Sequence, residues 1–261
     1  MNQSLMNDNQ DNELTLLPNE DAQQAVMNMA MANLWQEPLS YLAPYAQICN
    51  SVLGGWFLSW FFSICPPYEE KALSNEDICS ELGLTPAQWG KVRALLVKQE
   101  LLIYRTEKKQ AIYSRTGDNV DKVEWLLRDI LPNPLAAPIL CVNRLHLATL
   151  TDLGVSINAV LLLSWLIDEL PAKPIEEREE ISEPILINHQ NITMDTFLND
   201  KQISNALKEL DNIGVTQTKK NPQDKNKYSV INSKVLGDMT LAFTQKQYNA
   251  LTGGNDDENA T

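Results

Sequence analysis

The 261-residue chain has only two histidines, His146 and His189, and four cysteines, at 49, 65, 79 and 141, with no Cys-x-x-Cys pair, no Cys/His cluster and no His-Glu-x-x-His run. That scarcity argues against a zinc site, a disulfide scaffold and most histidine-dependent catalysis, and the scattered thiols fit a cytoplasmic protein. Phosphate-binding glycine motifs are missing as well: Gly-x-x-x-x-Gly-Lys-Ser/Thr, Gly-x-Gly-x-x-Gly and Gly-x-Ser-x-Gly do not occur. The expectation is a protein with no cofactor and no metal that is not an enzyme. No Lys or Arg precedes the first apolar stretch, which argues against a signal peptide. Long apolar runs are lacking too. The most hydrophobic stretch, 53–65, ends at Pro66-Pro67 after about 14 residues, whereas a bilayer span takes roughly 20. It reads as a buried helix, with no membrane role.

Basic residues are the other shortage: 21 against 34 acidic ones, for a net charge of −13. The molecule as a whole repels nucleic acid and anionic membrane unless its positive charge is concentrated somewhere. What is present is globular in composition, 44% apolar and 21% charged, on a length suited to one large or two small domains. Residues 1–34 hold Asp8, Asp11, Glu13, Glu20 and Asp21 and no cation, amid many Asn and Gln, and are expected to be a mostly disordered acidic tail. A helix over 21–34 has good propensity but no evident partner face. The C-terminal segment 241–261 ends in Asp256, Asp257 and Glu258 behind Gly253-Gly254, a second acidic end.

Between the tails the local signals are specific. Ser74 before Asn75-Glu76-Asp77 opens a short helix that Gly83 is placed to end. Thr85 then caps a second helix, with Pro86 at its first position and Gln88 completing a Thr-x-x-Gln capping box. Trp89, Val92 and Leu96 recur at helical spacing, after which 101–105 and 111–115 read as two strands around a charged tip at 106–110. Trp56, Trp60, Trp89 and Trp165 fall on apolar stripes and are expected in the core, and the four cysteines are expected to be small buried hydrophobes. Neither histidine has a clustered carboxylate or cysteine, so no ligand or base role is assigned.

This order of elements over 51–116 resembles the winged helix-turn-helix superfold. A second copy follows. Leu163-Ser164-Trp165-Leu166 repeats Leu58-Ser59-Trp60-Phe61 at an offset of 105, a helix over 200–214 carries Ile203, Leu207 and Leu210, and 215–218 with 228–232 form another hairpin. The fold class expected is mainly α with small β-hairpins, as tandem winged helix-turn-helix domains: 35–118 and 154–240, joined by a helical connector at 119–153. An acidic insertion at 176–183 lies inside the second copy. In such domains the resemblance implies that the helix over 85–99 enters the DNA major groove and the hairpin over 101–115 lies along the phosphates.

Charge distribution agrees with that implication. Lys91, Arg93, Lys98, Arg105, Lys108, Lys109 and Arg115 face only Glu100 and Glu107 between residues 85 and 115, a local balance of +5 that leaves −18 elsewhere. Lys91 and Lys98 share a helical face with Ala87 and Ala94, opposite the apolar stripe. With Gln88, these seven are the candidate DNA contacts of the first copy. Lys201, Asn205 and Lys208 are those of the second, whose hairpin carries Lys219, Lys220, Lys225 and Lys227, but whose Asp200, Glu209, Asp211 and Asp224 reduce the total. The partner expected is double-stranded DNA, for a regulator of transcription or of replication initiation, since plasmid and phage replication initiators resemble such tandems. The alternative is an adaptor that mediates protein-protein interactions through its acidic segments, resembling the acidic tandem subunits that dock on the kleisin of chromosome-condensing complexes. An acidic protein imitating DNA is a variant of it. The apolar 53–65 helix is covered either by the second copy or by another chain in a homodimer.

Overall fold

The computed structural model describes residues 20–115, 117–131, 138–172 and 179–252. In chain order the elements are α1 (Glu20–Leu34), β1 (Leu39–Tyr41), α2 (Ala43–Cys49), α3 (Val52–Ile64), β2 (Glu70–Ala72), α4 (Asn75–Leu82), α5 (Pro86–Lys98), β3 (Ile103–Glu107), β4 (Gln110–Ser114) and α6 (Asp118–Ile130). They continue as β5 (Leu140–Val142), α7 (Arg144–Asp152), α8 (Ile157–Asp168), β6 (Ile185–Leu186), α9 (His189–Thr196), α10 (Asp200–Asn212), β7 (Thr216–Lys220), β8 (Lys227–Ile231) and α11 (Ser233–Thr252). The fold is mainly helical with small antiparallel sheets, ordered β2-β4-β3 and β6-β8-β7, and one two-stranded pair, β1-β5. From β1 to α6 and again from β5 to α11 the order is strand, helix, helix, strand, helix, helix, strand, strand, helix. The chain is therefore an internal repeat of two units.

Each unit is built around one helix that is apolar almost all round, the pattern of a helix covered on every side. Trp56, Phe57, Leu58 and Phe61 of α3 are fully buried, and so are Leu161, Leu162 and Leu166 of α8. Burial of each such side chain contributes about 1.5–3 kcal/mol, so each of these helices anchors the core of its unit. α3 is covered within its own chain. Gly55 allows α2 to cross it closely, since a Cβ there would lie 2.4 Å from the Ala46 backbone nitrogen. Ser59 and Ser164, the serines of the repeated tetrapeptides, both donate to the carbonyl four residues back, Gly55 at 2.7 Å and Val160 at 3.0 Å. That bond lets a hydroxyl sit inside an apolar helix without an unmet donor.

The short helices are set by their caps. Ser74 with Asp77, Thr85 with Gln88 and Asn199 with Gln202 each form a reciprocal capping box. Gly83 ends α4 in the left-handed conformation at φ +61°. The equivalent position at the end of α9 is Phe197, held left-handed at φ +60° although it carries a side chain.

The two units meet about a local two-fold axis, which three independent features define. First, the equivalent strands β1 and β5 pair antiparallel in the register Leu39↔Val142, Ser40↔Cys141 and Tyr41↔Leu140, centring the axis on the Ser40/Cys141 pair. Second, contacts are reciprocal, as a two-fold requires: the end of α4 packs on α7, where the Gly83 backbone approaches Thr151 and Leu147, and the end of α9 packs on α2. There Tyr41 donates its buried hydroxyl to the Thr196 carbonyl at 2.6 Å. Third, a cleft of about 570 Å³ is lined from both units, with four matching pairs, Ser51 and Ser156, Val52 and Ile157, Leu53 and Asn158, Gln88 and Gln202, while Asn50, Thr193, Phe197 and Asn199 line it without their counterparts.

Several expectations are corrected. Residues 20–34, read as part of a disordered tail, form α1, because Val26 and Ala30 find a partner face on α11 and α7. Residues 1–19 and the acidic end 253–261 lie outside the described residues, as does the 176–178 part of the acidic insertion. In place of a helical connector, α6 closes the first unit as α11 closes the second, and β5 and α7, also within 119–153, are the second unit's counterparts of β1 and α2. The segment from 241 is not a separate piece but the second half of α11, anchored by buried Thr244. The first hairpin's strands are β3 and β4, with the tip reduced to Lys108 and Lys109. Of the cysteines, Cys49 and Cys65 are buried, Cys79 is half-buried, and Cys141 on the two-stranded pair is exposed. Burial pushes the Cys49 thiol up to about 12, so it is held as the neutral thiol. Trp56, Trp60, Trp89 and Trp165 are core residues, but Trp35 and Trp125 are 81% and 66% exposed.

Candidate nucleic-acid interface

The helix α5 turns Trp89, Val92 and Leu96 inward and leaves Ala87, Lys91, Ala94 and Lys98 exposed, the division its spacing dictates. In α10 the buried stripe is Ile203, Ala206, Leu207 and Leu210, and Lys201, Asn205 and Lys208 are exposed on the other face. Gln88 is occupied locally: its Oε1 accepts the Thr85 amide at 2.8 Å while its own amide donates to the Thr85 hydroxyl. It lines the shared cleft, as does Gln202, so the first turns of both α5 and α10 border that cleft.

The five other cationic candidates of the first unit divide sharply by surroundings. Arg93 is folded against its own unit, with its guanidinium 4.6 Å from the Tyr104 ring centre and Nη1 donating to Asn75 Oδ1 at 3.3 Å. Asn75 Oδ1 also accepts from Trp89 Nε1 at 2.9 Å, so Arg93 helps to join α4, α5 and the sheet. Arg105 is gripped by Glu70 through two 2.6 Å bonds and by Glu107 through a third. These bonds hold the Glu70 carboxyl below its usual range. Arg115 stacks 3.9 Å from the Phe62 ring centre and donates to the Cys65 carbonyl at 2.8 Å, closing the C-terminus of α3, and burial lowers its pKa. Lys108 and Lys109, by contrast, project from the hairpin tip, at φ +46° and +70°. A turn of that hand favours Asn-Gly, so two lysines occupy it at a conformational cost.

In the second unit the acids near the lysines keep their negative charge but have their oxygens occupied by local donors. All four acids near its lysines are engaged elsewhere. Asp200 pairs with His189 at 2.8 Å, Glu209 accepts the Ser156 amide at 2.9 Å, Asp211 accepts the Thr216 and Thr218 hydroxyls, and Asp224 accepts the Tyr228 hydroxyl at 2.7 Å. Lys201, Lys208, Lys219, Lys220, Lys225 and Lys227 form no ion pair among the described residues, and neither do Lys91, Lys98, Lys108 and Lys109. Ten unpaired lysines thus lie on α5, α10 and the two hairpins. Lys71 and Lys234 are the other described lysines without an ion pair, whereas Lys122, Arg128, Arg144 and Lys246 are each bound to a carboxylate.

No family model matches the chain, and no curated protein matches its sequence. The site therefore has to be read from its own chemistry. Among the described residues no group of three metal-ligating side chains converges, and no helix is long and apolar enough to cross a membrane. The functional residues that sequence reasoning missed are chiefly partners: Glu70 and Asn75, which take Arg105 and Arg93 out of the exposed set. Lys219, Lys220, Lys225 and Lys227, noted in the sequence, form no ion pair among the described residues.

Proposed function

We propose that the chain is a tandem winged-helix protein that binds duplex DNA, as a regulator of transcription or of replication initiation, and that each unit contributes one helix and one hairpin. The observation that carries this reading is the segregation of ten unpaired lysines onto α5, α10 and the hairpins of a protein with net charge −13. The order of strands in each sheet, β2-β4-β3 and β6-β8-β7, supports it, since a third strand braces each hairpin so that its tip projects. Lysine is a phosphate reader by charge, and release of counterions makes such binding steeply salt-dependent.

The test is a fluorescence-anisotropy titration of random-sequence duplex at several salt concentrations, with wild type beside Lys91→Gln/Lys98→Gln. Arg93 is left alone because its loss would disturb packing. Binding should weaken as salt rises, and the double variant should reduce the slope of log K against log salt by about 2. Absence of duplex binding by wild type at about 50 mM salt would sink the reading. The adaptor reading has one observation in its favour, the exposed Met27, Met31 and Trp35 spaced along one side of α1. It expects no salt-dependent duplex binding.

A further inference from the structure

A separate cavity of about 420 Å³ opens in the second unit, and none of the ten unpaired lysines lines it. Leu34 at the end of α1, Leu170 after α8 and Leu236 of α11 form apolar walls. That volume suits a small molecule. Leu34, Ile167 and Ile181 all line it and all are exposed, so large apolar side chains from three parts of the chain are left open to water at one place. Gly237 adds to the space. It stands inside α11, where glycine weakens a helix, yet a Cβ there would meet nothing within 4 Å.

The polar groups at this cavity are chiefly acceptors. His146 of α7 lines it with no hydrogen-bond partner for its ring among the described residues, and burial keeps that ring neutral, so one nitrogen accepts. Glu179 and Glu183 line it too. Two of the hydroxyls are already committed: Ser182 donates to the Glu183 carbonyl and accepts the Ile231 amide, and Thr240 donates to the Leu236 carbonyl at 3.1 Å. Residues 173–183 hold five glutamates against one lysine and one arginine, and no cation lines the cavity among the described residues.

We infer that this cavity binds a small hydrophobic amine, with its apolar body against Leu34, Leu170 and Leu236 and its ammonium held by Glu179 and Glu183. An apolar anion would enter against the local negative charge, and an uncharged molecule would cover the carboxylates without giving them a counter-ion. An ammonium carries three N–H donors, and the neutral His146 ring offers an acceptor besides the two carboxylates. The site is independent of duplex binding, since it uses none of the lysines on which that reading rests.

The experiment is equilibrium dialysis of the full chain at neutral pH against naphthylethylamine, beside the matched alcohol naphthylethanol and the anion naphthylacetate. The expected result is one amine per chain, bound about 10-fold tighter than the alcohol and about 100-fold tighter than the anion. Gly237→Leu fills the cavity from α11 and should weaken amine binding at least about 10-fold without lowering the melting temperature, because its Cβ has room and leucine favours the helix. Should that variant lose its fold, His146→Phe fills the same space from α7 and breaks no hydrogen bond printed by the ring's surroundings. Glu179→Gln/Glu183→Gln should erase the preference for the amine and leave retention of the alcohol unchanged. No retention of the amine at about 1 mM, equal retention of the three probes, a preference for the alcohol or the anion, or amine binding that neither filling variant alters would each overturn the inference and leave the DNA-binding reading untouched.

Discussion

Replacing Gly83 by alanine tests the packing on which the local two-fold depends. The residue sits at φ +61°, where an L side chain costs about 1–2 kcal/mol. Its Cβ would also lie 2.7 Å from Thr151 Cγ2 and 3.1 Å from Leu147 Cδ1, across the boundary between the units. Forcing a methyl into such a contact costs about 1–3 kcal/mol, so Gly83→Ala should lose about 2–5 kcal/mol in total. The two contributions can be separated. Thr151→Ser removes the methyl of the shortest contact and leaves the backbone cost and the looser 3.1 Å approach to Leu147 Cδ1, so in that background Gly83→Ala should cost the conformational part and a small steric remainder. Phe197, left-handed at the matching place in the second unit, shows that this part alone is compatible with the fold. Urea unfolding of the four proteins gives the coupling between the sites, expected to be about 1–3 kcal/mol. An equal cost of Gly83→Ala in both backgrounds would refute the close approach of α4 to α7.

Stability should also depend on pH through His146, which burial pushes down to about 4 from its ordinary 6.5. The unfolded chain then binds a proton that the folded one does not between those values, so stability falls as pH drops from about 6.5 to about 4, by about 3 kcal/mol in all. His146→Leu should flatten that part of the profile in chemical unfolding across the same pH range, and an unchanged profile would show that other groups carry it. At the first hairpin tip, Lys108→Asn/Lys109→Gly suits the left-handed turn and should raise stability by about 1 kcal/mol while weakening duplex binding. Thermal unfolding and the anisotropy titration check the two halves of that claim, and a loss of stability would contradict the turn geometry. Tyr41→Phe strands the Thr196 carbonyl, for a loss of about 1–3 kcal/mol with duplex affinity unchanged if the units stay docked.

Signals that act within a few residues were legible in the sequence. Ser74, Thr85 and Gln88 announce their helix starts because a cap is a contract between neighbours three positions apart, and the stripes of α5 and α10 follow from helical period alone. Pairing over long separations was not. β1 and β5 are three residues each and about a hundred apart, with no alternation long enough to mark a strand, and β2 and β6 are as short. The same distance effect misjudged charge. Arg105 looked free because Glu70 lies 35 positions away and outside the segment whose charges were counted. The hydroxyl, histidine and amide partners of the second unit's acids are likewise visible only in three dimensions.

The pairing of α1 with α11 has a consequence for synthesis. α1 is completed about two hundred residues before α11 begins, yet α11 supplies much of the surface that covers Val26 and Ala30. At the ordinary pace of translation, that leaves the first helix without its last partner for roughly ten to forty seconds. Its buried face, beside the already exposed Met27 and Met31, is then a sticky surface on every nascent chain, and a ribosome-associated chaperone has a defined place and interval in which to act.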